Sequence, residues 1–217
     1  MPNRSEGERG EALSGVGSDH VEQVIETYRG LLARYHRTLD LMSDRGFGEL
    51  AGKLDDARAY GAAVRAWAGS GCVIDVGSGA GLPGVVVAAV ARERHVLWVE
   101  RRRRRATFLT MVAAACGLEH VRVVGDDVRV VAQEALPAPL AAVTAQAVAG
   151  LAEVYAWTRH LHGEQVVMVA RRGAGWADEV AVLAERIGAE PRVLATEALG
   201  RGGTLVVLSV PGGCSCR

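Results

Sequence analysis

The sequence predicts a doubly wound α/β domain preceded by a helical segment, and three observations carry that expectation. From Cys72 onward, short β-branched runs alternate with longer Ala/Leu/Val segments, the pattern of parallel strands whose connecting helices cover both faces of a sheet. The first of these runs, Val73-Ile74-Asp75-Val76, passes directly into Gly77-Ser78-Gly79-Ala80-Gly81. An acid, Glu100, closes the second run, 25 residues beyond Asp75. With 217 residues, 49% hydrophobic and 23% charged, the chain is long enough for one core of this kind. Its 25 basic and 25 acidic residues balance, so the overall charge gives no pull towards a polyanion.

Residues 1–19 are polar and rich in Gly, Ser and Glu, without the apolar run of a signal peptide or anchor; a disordered tail is expected. Val21, Val24, Ile25, Tyr28, Leu31, Leu32 and Tyr35 recur at spacings of three and four, which places one apolar face on a helix from about Asp19 to Thr38. Ser43 to Gly48 is expected as a loop, followed by a second helix from Glu49 to Ala68. Strands are expected at Val73–Val76, Val96–Val99, Val121–Val124, Ala141–Thr144, Gln165–Val169, Arg192–Ala195 and Thr204–Val210. The helices between them are expected at Leu82–Arg92, Arg103–Cys116, Val128–Ala135, Gly150–His162 and Trp176–Ile187. Cys72, Cys116, Cys214 and Cys216 lack C-x-x-C spacing, so thiols of a reducing cytoplasm are expected, with no metal site. No apolar run is of membrane length.

The glycine turn is where the chain must bend tightly and bring backbone N–H groups close to a ligand. An acid at the end of the second strand is placed to accept both ribose hydroxyls of an adenosine. A dinucleotide enzyme would share both features, but a pyrophosphate site uses G-x-G-x-x-G, whereas this turn is G-x-G-x-G preceded by Asp75. A carboxylate there suits the ammonium end of an amino-acid-bearing cofactor, and Gly125-Asp126-Asp127-Val128 adds an acid suited to an adenine amino group. The cofactor expected is S-adenosyl-L-methionine, and the candidate residues for it are Asp75, Gly77, Ser78, Gly79, Gly81, Leu82, Pro83, Glu100, Arg101, Asp127, Val128 and Gln146.

The longer string Ile74-Asp75-Val76-Gly77-Ser78-Gly79-Ala80-Gly81-Leu82-Pro83-Gly84 resembles the RsmG (GidB) family of small-subunit ribosomal RNA methyltransferases, which act on a guanine ring nitrogen. Arg104-Arg105-Ala106-Thr107-Phe108-Leu109 and Cys116-Gly117-Leu118-Glu119-His120-Val121 are similar to two later stretches of that family. The resemblance implies a Rossmann-like, seven-stranded, mostly parallel sheet with an antiparallel last strand. It divides the chain into a tail (1–19), helices covering the substrate site (20–70), the cofactor-binding domain (71–211) and a second tail (212–217).

The departures from the family lie where it meets its substrate. Tyr35 to Met42 lacks the asparagines and threonine of the family's W-N-x-x-x-N-L-T. Lys53-Leu54-Asp55-Asp56-Ala57 lacks the histidine of R-H-x-x-D-S, and Ala145-Gln146-Ala147 lacks the arginine of S-R-A. Arg172-Gly173 keeps the charge of the family's K-G. These changes, with the neutral overall charge, predict a small aromatic or heterocyclic substrate such as an indole, from a specialised natural-product pathway. In that scheme His36 or Asp40 acts as base, Tyr35 stacks on the ring, and Gln146, Glu153 and Arg172 contact the substrate, with Tyr155 and Trp157 nearby; for Trp176, packing at a helix start is expected ahead of a role as lid. The alternative is guanine N7 of 16S ribosomal RNA, supported by the five arginines from Arg101 to Arg105 and by Arg171 and Arg172. A helix N-terminus disfavours cations, so phosphate contact explains that run better than stability does. A third possibility is a binding module that keeps the pocket without catalysis.

Overall fold

The computed structural model describes residues 18–212, so the expectations for the two tails, Cys214 and Cys216 included, fall largely outside it. Helices α1 (Ser18–Tyr35), α2 (Asp44–Gly48) and α3 (Leu50–Trp67) precede the sheet. Strands β1 (Cys72–Val76), β2 (Val96–Val99), β3 (Val121–Val124), β4 (Leu140–Ala145), β5 (His162–Arg172), β6 (Arg192–Ala198) and β7 (Thr204–Pro211) follow in the order β3-β2-β1-β4-β5-β7-β6. Every neighbouring pair from β3 to β5 is parallel, and β7 runs antiparallel to both β5 and β6. The sheet is therefore seven-stranded with the expected antiparallel last strand. Helices α4 (Gly84–Val90), α5 (Arg103–Ala115), α6 (Leu151–Thr158) and α7 (Trp176–Ile187) complete the layers.

Alternation along the strands feeds two separate cores. Val73, Trp98, Val169 and Val207 face α1, α3, α4 and α5, and pack with Tyr28, Leu32, Tyr60 and Phe108. Ile74, Leu97, Met168 and Leu208 face the other way, against Leu151, Tyr155 and Leu183. Close approach between α3 and α4 depends on Gly61, where a Cβ would lie 2.9 Å from Val90 Cγ2.

Two local expectations are revised. Ser43 to Gly48 is not all loop, because the Ser43 hydroxyl accepts from the Gly46 amide and caps the short α2. The helix expected over Val128–Ala135 is instead two 3₁₀ turns, Val128–Val130 and Gln133–Ala135. Three valines lower the helix propensity there, and Pro137 and Pro139 stop the segment from extending.

Candidate active site

A cleft of about 680 Å³ opens along the carboxyl ends of the strands, at the point where strand order reverses between β1 and β4. That is the expected ligand position in an open α/β sheet. Gly77, Ser78, Gly79, Leu82, Glu100, Arg101, Asp127, Val128 and Gln146 line it, as do Val76, Val99 and Met42. Gly77 and Gly79 have φ of 65° and 58°, and a Cβ on Gly77 would lie 3.0 Å from Val148 Cγ2. The turn thus exposes backbone where any side chain would be strained.

Glu100 is buried, and its carboxylate accepts from the Gly79 amide at 3.0 Å and the Arg102 amide at 2.8 Å. Each oxygen keeps a second lone pair for a ribose hydroxyl. Asp127 caps the 3₁₀ turn and is gripped by Arg129, with Nε 2.9 Å from Oδ1 and Nη2 2.7 Å from Oδ2. Those bonds hold its carboxyl down at about 2, so it stays ionised and able to accept from an amino group. The Arg129 guanidinium lies 5.9 Å above the Trp157 ring, and both side chains line the cleft. Glycine cradle, ribose acid and adenine acid together fit S-adenosyl-L-methionine.

Three residues of the expected cofactor set lie under the loop rather than in the cleft. Asp75 is 1% exposed and accepts from the Thr144 hydroxyl at 2.6 Å, so it does not meet the ammonium end of the cofactor directly. Burial raises its carboxyl to about 6. Gly81 has φ 112° and packs between Val85 and Tyr28, whose hydroxyl donates to the Ala80 carbonyl at 2.9 Å. Pro83 caps α4, and a Cβ on Gly84 would fall 2.6 Å from Asp75 Oδ2. The final glycine of the motif therefore serves packing.

The expected substrate set is placed differently. His36 is 7% exposed and stacks on Phe47 with ring centroids 4.4 Å apart. Its Nδ1 meets the Leu32 and Ala33 carbonyls and its Nε2 meets Asp44, so it closes α1 and lines no part of the cleft. Asp40 is an exposed loop residue with φ 51° whose carbonyl accepts from Arg105. Tyr35 packs at the core edge with Arg34 over its ring. Glu153 accepts from the Gly150 amide and starts α6. Tyr155 and Trp176 pack in the second core.

Arg172 turns away from the cleft to Glu179 and the Ala149 carbonyl, because adjacent strand residues point to opposite faces. Its neighbour Arg171 lines the cleft instead. Sequence reasoning also passed over Arg129 and Arg201, and mentioned Lys53 only as a departure, although all three line the cleft. Strand alternation could have separated Arg171 from Arg172; the signal for Arg201 was a lone arginine in the glycine turn Gly200 to Gly203.

The fold and this cofactor site define a Rossmann-like, S-adenosyl-L-methionine-dependent methyltransferase. Residues 21–201 match the family described as GidB, rRNA small subunit methyltransferase G, and the chain belongs to that family. Ribosomal RNA small subunit methyltransferase G of Halorhodospira halophila is 33% identical over 164 residues, covering 75% of each chain. The Pseudomonas aeruginosa protein of the same name is 29% identical over 189 residues, covering 84% of each. Among solved structures, an O-methyltransferase from Bacillus cereus with SAH shares the fold at TM-score 0.57 and 13% identity, covering 93% of each chain. A SAM-dependent methyltransferase from Aquifex aeolicus matches at TM-score 0.56 and 14% identity, over 75% of this chain and 93% of its own.

Family membership and relatives named for ribosomal RNA overturn the expectation of a small aromatic metabolite as substrate and partner. That expectation leaned on the balanced net charge, which hides an uneven distribution. Seven cations line the cleft against three carboxylates, Glu100, Asp126 and Asp127. It also leaned on Tyr35, His36 and Asp40, none of which lines the cleft.

Proposed function

We propose that the protein transfers the methyl group of S-adenosyl-L-methionine to N7 of a guanine in small-subunit ribosomal RNA, which assigns the reaction to the cytoplasm. The observation that carries this is the positive cleft lining and its continuation in Arg101 to Arg104. All four side chains are exposed, and none makes an ion pair among the described residues. Unpaired guanidinium groups beside a cleft are suited to phosphates, whose counterions they release on binding.

Among the described lining residues, every carboxylate belongs to the β2 and β3 ends. The β4 end offers Gln146, Ala147 and Val148, none of them a general base. Guanine N7 needs none, because it attacks with a ring lone pair and carries no proton. The cofactor supplies a methyl group on a positive sulfur: the N7–carbon bond forms, the carbon–sulfur bond breaks, and its electron pair goes to sulfur. The protein's part is positioning and exclusion of water. The Gln146 amide suits the carbonyl oxygen beside N7 as a donor.

Small ribosomal subunits from cells lacking this methylation, incubated with the protein and labelled cofactor, are expected to yield 7-methylguanosine on digestion. No transfer to subunits or to free 16S RNA would overturn the proposal.

A further inference from the structure

A second group of cations faces the opposite end of the cleft from Arg101 to Arg105. Lys53 on α3, Arg171 at the end of β5 and Arg201 in the β6–β7 turn all line it. Two acids, Glu49 at the N-cap of α3 and Asp56 within it, hold them without themselves lining the cleft. Arg201 Nη2 lies 2.8 Å from Glu49 Oε2 and its Nη1 3.4 Å from Asp56 Oδ2, while Lys53 Nζ lies 3.1 Å from Glu49 Oε2. Arg171 Nε is 3.8 Å from Asp56, and its Nε and Nη2 donate to the Gly202 and Arg201 carbonyls, so the two arginines fix one turn. Asp56 is 2% exposed, so this is a built arrangement rather than a loose surface cluster.

Gly52 is part of the arrangement. A Cβ there would lie 2.7 Å from Arg201 Cδ and 2.9 Å from its Cγ, so the arginine crosses α3 over a position without a side chain. The cations outnumber the two acids, and Nη1 of Arg171 has no partner among the described residues. A guanidinium held from behind loses little further freedom when it takes an anion in front. The adenosine acids belong to the β2 and β3 ends, so these cations border the end left for the substrate.

We propose that Arg201, seated over Gly52 and backed by Glu49 and Asp56, grips an RNA phosphate beside the accepting base and so positions that base for transfer. This rests on the ribosomal RNA reading above. The arginine acts on the backbone of the substrate, while Gln146 alone meets the base from β4.

The test compares Arg201→Gln and Gly52→Ala with the wild-type protein, using undermethylated small ribosomal subunits. The readouts are kinetics, filter retention across a salt series, and cofactor affinity by calorimetry. Gly52→Ala improves helix propensity, so it should fold while displacing the arginine. For Arg201→Gln, KM for subunits is expected to rise about ten-fold and the slope of log affinity against log salt to shrink by about one. Cofactor Kd should stay within two-fold, and Gly52→Ala should move KM and slope in the same direction by less. A merely structural role for Arg201 would lower thermal stability and leave the salt slope unchanged. Wild-type KM and slope in both variants would overturn the inference while leaving the ribosomal RNA reading intact. Failure of the wild-type protein to bind or methylate subunits would overturn both.

Discussion

At the β1–β3 end of the cleft the glycine turn and the acids after β2 and β3 lie beside cations that are their near neighbours in sequence, whereas the cations from α3, β5 and the β6–β7 turn come from positions far apart in the chain. The first end is set by strand-to-turn geometry, with Gly77 and Gly79 at positive φ and Glu100 accepting two loop amides. The second is assembled by tertiary packing, which brings residues 53, 171 and 201 together across α3, β5 and the last turn. The cofactor end is thus set by local geometry, and the end proposed to meet the RNA is a long-range assembly.

Asp75 gives the sharpest way to probe the first end. Its folded-state pKa is raised to about 6 from an ordinary 3.8, so the folded chain holds this proton more tightly than the unfolded chain does. Its contribution is present below about pH 4 and is lost as pH rises through about 6, a cost of roughly 3 kcal/mol by linkage. In Asp75→Asn, urea unfolding between pH 4 and 7 should lack that loss; an unchanged pH profile would show that the buried carboxyl does not titrate there.

Glu100→Ala should come next in size, weakening cofactor binding by about 2 kcal/mol, or roughly 30-fold, through loss of a charge-assisted acceptor. Calorimetry checks it, and subunit binding without cofactor should change little if the two ends are independent. Arg101→Gln with Arg102→Gln should lower subunit affinity by about 1 kcal/mol at low salt and flatten the salt slope, with no effect at high salt. His36→Gln should leave kcat and its pH profile unchanged, while a small loss of melting temperature reports the α1 closure. A change in the pH profile would return His36 to the chemistry.

This contrast also explains what could be read from the sequence. The sheet and the cofactor end were legible because strand alternation, the glycine turn and the acid after β2 are local patterns with fixed spacing. Asp75 and Gly84 were legible as motif members but not in their roles, since burial under α4 appears only once Trp98 and Thr144 are in place. His36 and Asp40 were misassigned because a polar residue near a helix end looks the same whether it caps the helix or faces a ligand. Arg171 and Arg201 each carry a local signal, but no sequence spacing joins them, since their meeting depends on the antiparallel pairing of β5 with β7, which sets Arg171 opposite Leu205.

Tyr60 is almost fully buried on α3, donates to the Ala145 carbonyl at 3.1 Å and accepts from the Arg171 amide at 2.7 Å. One hydroxyl thus rivets the helical segment to the tips of β4 and β5. Segments exchanged between relatives should therefore be inherited together with both strand tips. A chimera that joins one relative's α3 to another's sheet puts the riveted joint at risk, and with it the spacing between α3 and the carboxyl ends of β4 and β5 that border the cleft.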